Sequence, residues 1–279
     1  MTCLSFILRI LMFVVLWLAV LLGFGGCTNY GLRIKELAPD CYVVYGEGGN
    51  SGVLISDTAV LIVDTKMKQG AERLRRWVKR KAPHQRIYIV NTHIHRDHSS
   101  GNHLYDDAVI MAGSYGEKFW NALAAREDLP NRWIEDSVLL QWPNEEVVVY
   151  NVGQAHTYED VLVYLRQRKV LFAGDVVLNG YHPFLDEHAG ASVAGYQDVL
   201  QDMLQRFSIR WVVPGHGKAG STELISTMQA YFRDMTEAAQ NTESEMIARE
   251  RYQSYSSLPI NKAGFDQTIS FIRKSETLR

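Results

Sequence analysis

From residue 40 onward the chain alternates short apolar runs with glycine, proline or paired polar residues. Cys41–Tyr45, Ser51–Ser56 and Ala59–Val63 are short, largely apolar runs bounded by glycine or polar residues, and this predicts three strands. Asp57-Thr58 reads as a tight hairpin turn, and the glycines between Gly46 and Gly52 as the turn before it. Those glycines also permit close backbone approach to a site. The period then changes. Over Gln69–Lys81, Leu74, Trp77 and Val78 share one face, while Arg73, Arg75, Arg76, Lys79 and Arg80 lie elsewhere, which predicts an amphipathic helix closed by Pro83. Its basic cluster reads as a solvated face rather than a polyanion or lipid-headgroup site.

The strand pattern resumes at Arg86–Val90 and Val109–Ala112, and Ser114–Arg126 reads as a helix capped by Ser114. Glu127–Pro143 carries Trp133 and Trp142 in a polar setting, and fits either a flap over a site or a surface loop pinned by aromatics. Val147–Asn151, Val161–Arg166, Lys169–Ala173 and Ile209–Val213 are further strands. Val193–Arg206 is a helix whose face of Tyr196, Val199, Leu200, Met203, Leu204 and Phe207 is at core-packing spacing. Thr222 to about Ala238 is another helix, and the tail is helical in part.

The first 26 residues follow a different rule. Arg9 is their only charge, and an unbroken apolar or glycine run from Ile10 to Phe24 ends in Gly25-Gly26-Cys27. That run is short for a bilayer span and reads as an export signal. Small residues directly before a cysteine resemble a bacterial lipoprotein signal, with Cys27 lipidated. The expected organisation is a signal over 1–26, a tether over 27–39 and one domain over 40–279, exported, periplasm-facing and anchored to the membrane through the lipid. Cys41 is the one thiol left in that domain and reads as a buried small hydrophobe. A formal charge of −2 and a pI near 6.5 give no footprint for nucleic acid.

The chemistry concentrates after the strand at Arg86–Val90, in Asn91-Thr92-His93-Ile94-His95-Arg96-Asp97-His98. In an extended segment, side chains two apart point the same way, so His93 and His95 can reach one metal ion. Asp97 and His98 can reach a second point as the chain turns. Imidazole and carboxylate suit zinc, and also iron. A solvated polar loop would need no metal, but half-buried imidazoles at a strand end need partners.

His-x-His-x-Asp-His after an apolar strand resembles the first metal motif of the metallo-β-lactamase superfamily. The later strand ends match its remaining pattern: Gly153-Gln154-Ala155-His156-Thr157, then Leu171-Phe172-Ala173-Gly174-Asp175, then Val212-Val213-Pro214-Gly215-His216-Gly217. The resemblance implies an α/β fold, a four-layer αββα sandwich with the metals at one edge. It implies two Zn²⁺ per chain, with His93, His95 and His156 on the first, Asp97, His98 and His216 on the second, and Asp175 bridging. Asp64 would support the metal loop by hydrogen bonding. The implied reaction is attack by metal-bound hydroxide on an ester, thioester, lactone or amide carbonyl of a small molecule, with Asp97 also orienting the nucleophile and relaying a proton. Tyr158, Tyr181, His182 and His188 are candidates for contact with the substrate, and His103 is structural. True β-lactamases of the superfamily carry Cys or Ser at or near the position of Asp175 and often a Lys shortly after it, where Leu178 stands. β-Lactam hydrolysis is therefore expected to be weak. Other readings are a mononuclear iron enzyme resembling persulfide dioxygenases, and a metal-binding protein without turnover.

Overall fold

The structure, a computed structural model, describes residues 31–258 and 263–277. The expectations for the export segment and for Cys27 lie outside the described residues. Among the described residues no helix is long and apolar enough to cross a membrane.

Two sheets form the domain. The first holds β1 (Arg33–Ala38), β2 (Cys41–Tyr45), β3 (Ser51–Ile55), β4 (Ala59–Val63), β5 (Arg86–Val90), β6 (Val109–Gly113) and β7 (Arg132–Ile134), in that spatial order. Neighbours from β1 to β4 are antiparallel, and from β4 to β7 they are parallel. The parallel half needs crossovers, and the first is the amphipathic helix α1 (Lys68–Lys81). The second sheet has the order β12-β11-β10-β9-β8, with β8 (Ser137–Trp142), β9 (Glu145–Gly153), β10 (Asp160–Leu165), β11 (Val170–Phe172) and β12 (Trp211–Val213). The remaining helices are α2 (Arg96–Ser99), α3 (Glu117–Leu123), α4 (Val193–Arg206), α5 (Glu223–Gln240), α6 (Thr242–Arg251) and α7 (Phe265–Thr277).

Strands buried on both faces read as continuous apolar runs, and β4 shows how each face is used. Leu61 and Val63 point between the sheets and meet Val149, Val163 and Phe172 of the second sheet's inner face. Val60 and Ile62 point the other way, onto Leu74 and Val78 of α1. On the far side, Leu162, Leu171 and Val212 face Tyr196, Leu200 and Met203 of α4 and Phe232 of α5. The four layers expected from the resemblance are thus present. At Gly52 a side chain would lie 2.3 Å from the Phe172 ring, so glycine lets the two sheets close on one another there.

Three local expectations are corrected. The segment 27–39, read as a tether, contains β1, because Ile34, Leu37 and Ala38 find apolar partners once β1 pairs with β2. Glu127–Pro143 is neither a flap nor a surface loop. It supplies β7 and β8, the passage from one sheet to the other, and Trp142 is buried against Tyr88 with ring centroids 5.7 Å apart. The helix read over Ser114–Arg126 is a 3-10 turn followed by the short α3, without a side-chain cap from Ser114. Gly116 is pressed against the Glu159 carboxylate, where no side chain fits, and Ala124 leaves the helix in an extended conformation.

Leu61 is 1% exposed between the sheets. Leu61→Ala is expected to lower the unfolding free energy by about 3 kcal/mol, read from the urea midpoint at unchanged slope.

Candidate metal centre

Five connections that leave strands at one edge of the sandwich build the centre. In-register pairing of Val63 with Val90 brings the ends of β4 and β5 side by side, so Asp64 faces the segment Asn91–His98. Across from it, the β9–β10 turn carries His156, the segment after β11 carries Asp175, and the segment after β12 carries His216. The seven His and Asp named from the sequence converge into two groups. One is His93, His95, His156 and Asp175, and the other is Asp97, His98 and His216, each group with potential donor atoms within 4.8 Å of one another. Asp175 lies between them. Its Oδ2 is 3.5 Å from Nε2 of His156, and its Oδ1 is 3.3 Å from Nε2 of His98 and 3.6 Å from Nε2 of His216. Asp97 Oδ2 is 3.1 Å from His216 Nε2.

Hydrogen bonds around the centre fix which nitrogen of three rings carries the proton. Asp64 accepts from the Thr92 amide and hydroxyl, each at 2.7 Å, and lies 2.8 Å from Nδ1 of His98. A carboxylate accepts, so His98 Nδ1 donates and Nε2 presents its lone pair inward when the ring is neutral. The Thr92 hydroxyl has given its hydrogen to Asp64, so it accepts from His93 Nδ1 at 3.0 Å. Tyr196 gives its hydrogen to the Asp175 carbonyl at 3.2 Å, so it accepts from His156 Nδ1 at 2.8 Å. When the rings are neutral, as metal ligation requires, the hydrogen in all three points outward and the Nε2 lone pair points in. Those lone pairs meet the carboxylates of Asp97 and Asp175 in a buried space. Among the described residues, His93 Nε2, His95 Nε2 and Asp175 Oδ1 are buried without a hydrogen-bond partner. Such a donor set is repulsive until positive charge enters it, and it fits divalent cations with nitrogen and oxygen ligands.

The electrostatics agree. Burial, reinforced by the neighbouring imidazoles, holds His93 well below the ordinary imidazole pKa, and burial pushes His156 down to about 3. Burial also opposes a charge on His98, but the carboxylates of Asp175, Asp97 and Asp64 outweigh it and raise that pKa well above the usual value. Positive charge is therefore favoured on the carboxylate side of the centre.

Several supporting residues escaped the sequence reading. Asp160 accepts from the amides of Ala155, His156 and Thr157, which shapes the turn that presents His156. Glu159 takes the Ile94 amide on one oxygen and the Trp120 indole on the other, and so ties the His93–His95 segment to α3. The signal was two adjacent carboxylates opening a buried strand. For Tyr196 it was a phenol on an apolar helix face, since a buried hydroxyl needs a partner. Lys66 is fully buried and donates to the Gly49 carbonyl at 2.6 Å. Gly49 in turn lies against His98, where a side chain would sit 2.2 Å from the ring.

The four residues expected to touch substrate divide. Tyr181 lines the cleft, 6.0 Å from His216 between ring centroids. Tyr158 is stacked on Phe119 at 4.3 Å. His188 is exposed, and its backbone amide donates to Asp186 at 2.9 Å. His182 is buried, 2.8 Å from the Tyr231 hydroxyl, and packed on Tyr255 and Phe265. The C-terminal segment encloses it because Ser256 bridges to Tyr181 and accepts the His182 amide. His103 pairs with Asp128 at 2.9 Å.

The family model of the Metallo-beta-lactamase superfamily matches residues 44–216. The chain is 26% identical over 178 residues to the metallo-beta-lactamase type 2 of Bacillus sp. (strain 170), covering 63% of this chain and 69% of that protein. It is 26% identical over 180 residues to the metallo-beta-lactamase type 2 of Bacteroides fragilis, covering 63% and 72%. Among solved structures, the metallo-beta-lactamase from Pontibacter korlensis has a similar fold at a TM-score of 0.65 and 21% identity, over 73% of this chain and 99% of that one. The crystal structure of VMB-1 is similar at a TM-score of 0.62 and 25% identity, over 72% and 96%.

Two substitutions separate the supporting contacts from the fold. Tyr196→Phe is expected to weaken metal affinity about 10- to 100-fold with little change in circular dichroism, read by competition with a chromophoric chelator. Gly49→Ala is expected to displace His98 and to abolish binding at the Asp97, His98 and His216 group first, read as lost stoichiometry in the same titration.

Proposed function

The chain belongs to the metallo-beta-lactamase superfamily of metal-dependent hydrolases, and from that premise we propose that it is a dinuclear zinc enzyme hydrolysing an activated carbonyl in a small molecule. In this reading His93, His95 and His156 hold one cation, Asp97, His98 and His216 hold the other, and Asp175 serves both. The observation that carries it is the set of inward lone pairs on three fixed imidazoles around a carboxylate with one oxygen toward each group.

Two divalent cations held there would supply Lewis acidity and would lower the pKa of bound water toward about 7. The chain's own groups do the rest. Asp97 borders the cleft and can accept a hydrogen bond from a water poised for attack, which orients it. Tyr181 can donate its hydroxyl to an oxygen gaining negative charge. Asp64, Thr92 and Tyr196 hold the Nδ1 hydrogens of His98, His93 and His156 outward, so Nε2 is the nitrogen each neutral ring would offer a cation.

The names of the curated relatives make a β-lactam the first substrate class to test. Asp175 between the two groups supports a second, the lactones, esters and thioesters that the sequence pattern suggests. For the N-terminus the reading is export and lipid anchoring at Cys27, resting on the apolar run Ile10–Phe24 and on Gly25-Gly26-Cys27. Labelling with a radioactive fatty acid, lost in Cys27→Ser, tests it.

Protein purified without added metal is expected to carry about two zinc ions per chain and to hydrolyse a member of a panel of β-lactams, lactones, esters and thioesters. Asp97→Ala is expected to lower kcat on that substrate about 100-fold or more while the His93, His95 and His156 group keeps its metal. One iron per chain would replace this reading with the oxygenase one, and failure to take up metal on titration would sink both.

A further inference from the structure

Asp97 stands at the junction of two lobes of the cleft. The lobe beyond His95 has a volume of about 740 Å³ and mixed charge, with Lys68 and Arg96 beside Glu127, Asp128 and Asp186. The lobe beyond His216 measures about 690 Å³ and is different. Its acidic lining residues are Glu47 and Asp97, and both are engaged, Glu47 by Arg73 and Asp97 by His216. Its basic side chains are Arg33 and Lys218, and among the described residues neither makes an ion pair. The lobe therefore offers two uncompensated cations at its rim and the metal centre at its inner end.

The two cations are held as parts of one wall. The Arg33 guanidinium lies 4.9 Å from the centre of the Tyr45 ring. The Tyr45 hydroxyl accepts from the Ala219 amide at 3.2 Å, directly beside Lys218. Asn179 donates to the Lys218 carbonyl at 2.8 Å, and Asn50 donates to the Gly217 carbonyl at 2.8 Å. Tyr45 thus joins the strand that carries Arg33 to the segment that carries Lys218. Leu258 adds an apolar surface in the same lobe, set in place where Ser256 bridges to Tyr181. Arg33, Lys218 and Leu258 all fall outside residues 44–216, the span matched by the family model. Tyr45, Asn50 and Asn179, which hold them, lie within it, so the wall joins the shared core to its flanking segments.

We propose that Arg33 and Lys218 form a subsite for a carboxylate on the substrate, with the apolar part of the molecule against Leu258 and the scissile carbonyl over Asp97 and His216. A guanidinium presents a planar pair of donors to a carboxylate, and an ammonium adds a second charge. The contrast with the mixed-charge lobe fixes the direction: the anionic end enters the His216 side. This assignment rests on the hydrolase reading for its orientation over the centre, but the anion subsite itself can be measured without turnover.

The test uses the purified full domain with its metals, alongside Arg33→Ala/Lys218→Ala. Both side chains are exposed, so the double variant is expected to keep the wild-type melting temperature and metal content. Benzylpenicillin and its methyl ester are compared as substrates. The expected result is a fall of about tenfold in kcat/KM for the acid, carried by KM, with less than about a twofold change for the ester. Calorimetric binding of phenylacetate and of the neutral isostere phenylacetamide gives the second readout. Wild type is expected to prefer the anion, and the double variant to lose that preference. If neither penicillin is turned over, the β-lactam reading fails while the binding comparison still decides the subsite. Equal binding of anion and amide by wild type, or an anion preference that survives the double substitution, overturns the proposal.

Discussion

The Asp64 carboxylate is the contact on which the centre depends. Its two oxygens receive the Thr92 amide, the Thr92 hydroxyl and the His98 ring hydrogen. One side chain at the end of β4 therefore sets the backbone of the following strand's exit, the proton on His98 and, through Thr92, the proton on His93. Asp64 does this from a left-handed backbone conformation, φ 63, which costs a non-glycine residue about 1–2 kcal/mol. Lys66 and Lys68 share that region, so the whole turn from β4 to α1 is strained. Strain of this kind persists where the surroundings over-determine it, and three hydrogen bonds to one carboxylate do so.

The remaining charge balance follows from burial. Asp97, Asp175 and Asp64 are buried within a few residues' reach of one another, and carboxylates so placed require compensation. Lys66 supplies part of it from behind, although burial lowers its own pKa to about 7. The inward face is lined by His93, His95 and His156, whose burial disfavours a positive charge on the rings. The protein thus leaves a deficit of positive charge at one defined point, bounded by side chains that cannot move without breaking the hydrogen bonds behind them.

The donor residues were readable in the sequence because their short motifs flank apolar runs and together resemble the superfamily's metal motifs. The alternation of β-runs and helices marked most of the elements, and the resemblance implied their layers. What was not readable depends on meetings across the fold. Tyr196 looks like any core residue until α4 lies against the second sheet and brings its hydroxyl to His156. Segment 27–39 has too little apolar patterning to announce a strand, and β1 forms because β2 offers an edge. His182 sits one residue from a cleft-lining tyrosine, and only the return of the C-terminal segment turns it toward Tyr231. Trp142 has polar sequence neighbours, and its partner Tyr88 comes from a strand far along the chain.

The centre draws on both sheets: His93, His95, Asp97 and His98 leave the first, and His156, Asp175 and His216 leave the second. In polymer terms, cations gripping these residues would close a loop running from His93 to His216, and closing a long loop removes much of the unfolded chain's freedom. The same ions that act on a substrate would then act as a clasp between the halves of the sandwich. Stability and catalysis would answer to one concentration, that of the metal outside the protein, and a chain that lost its ions would loosen along the seam between the sheets.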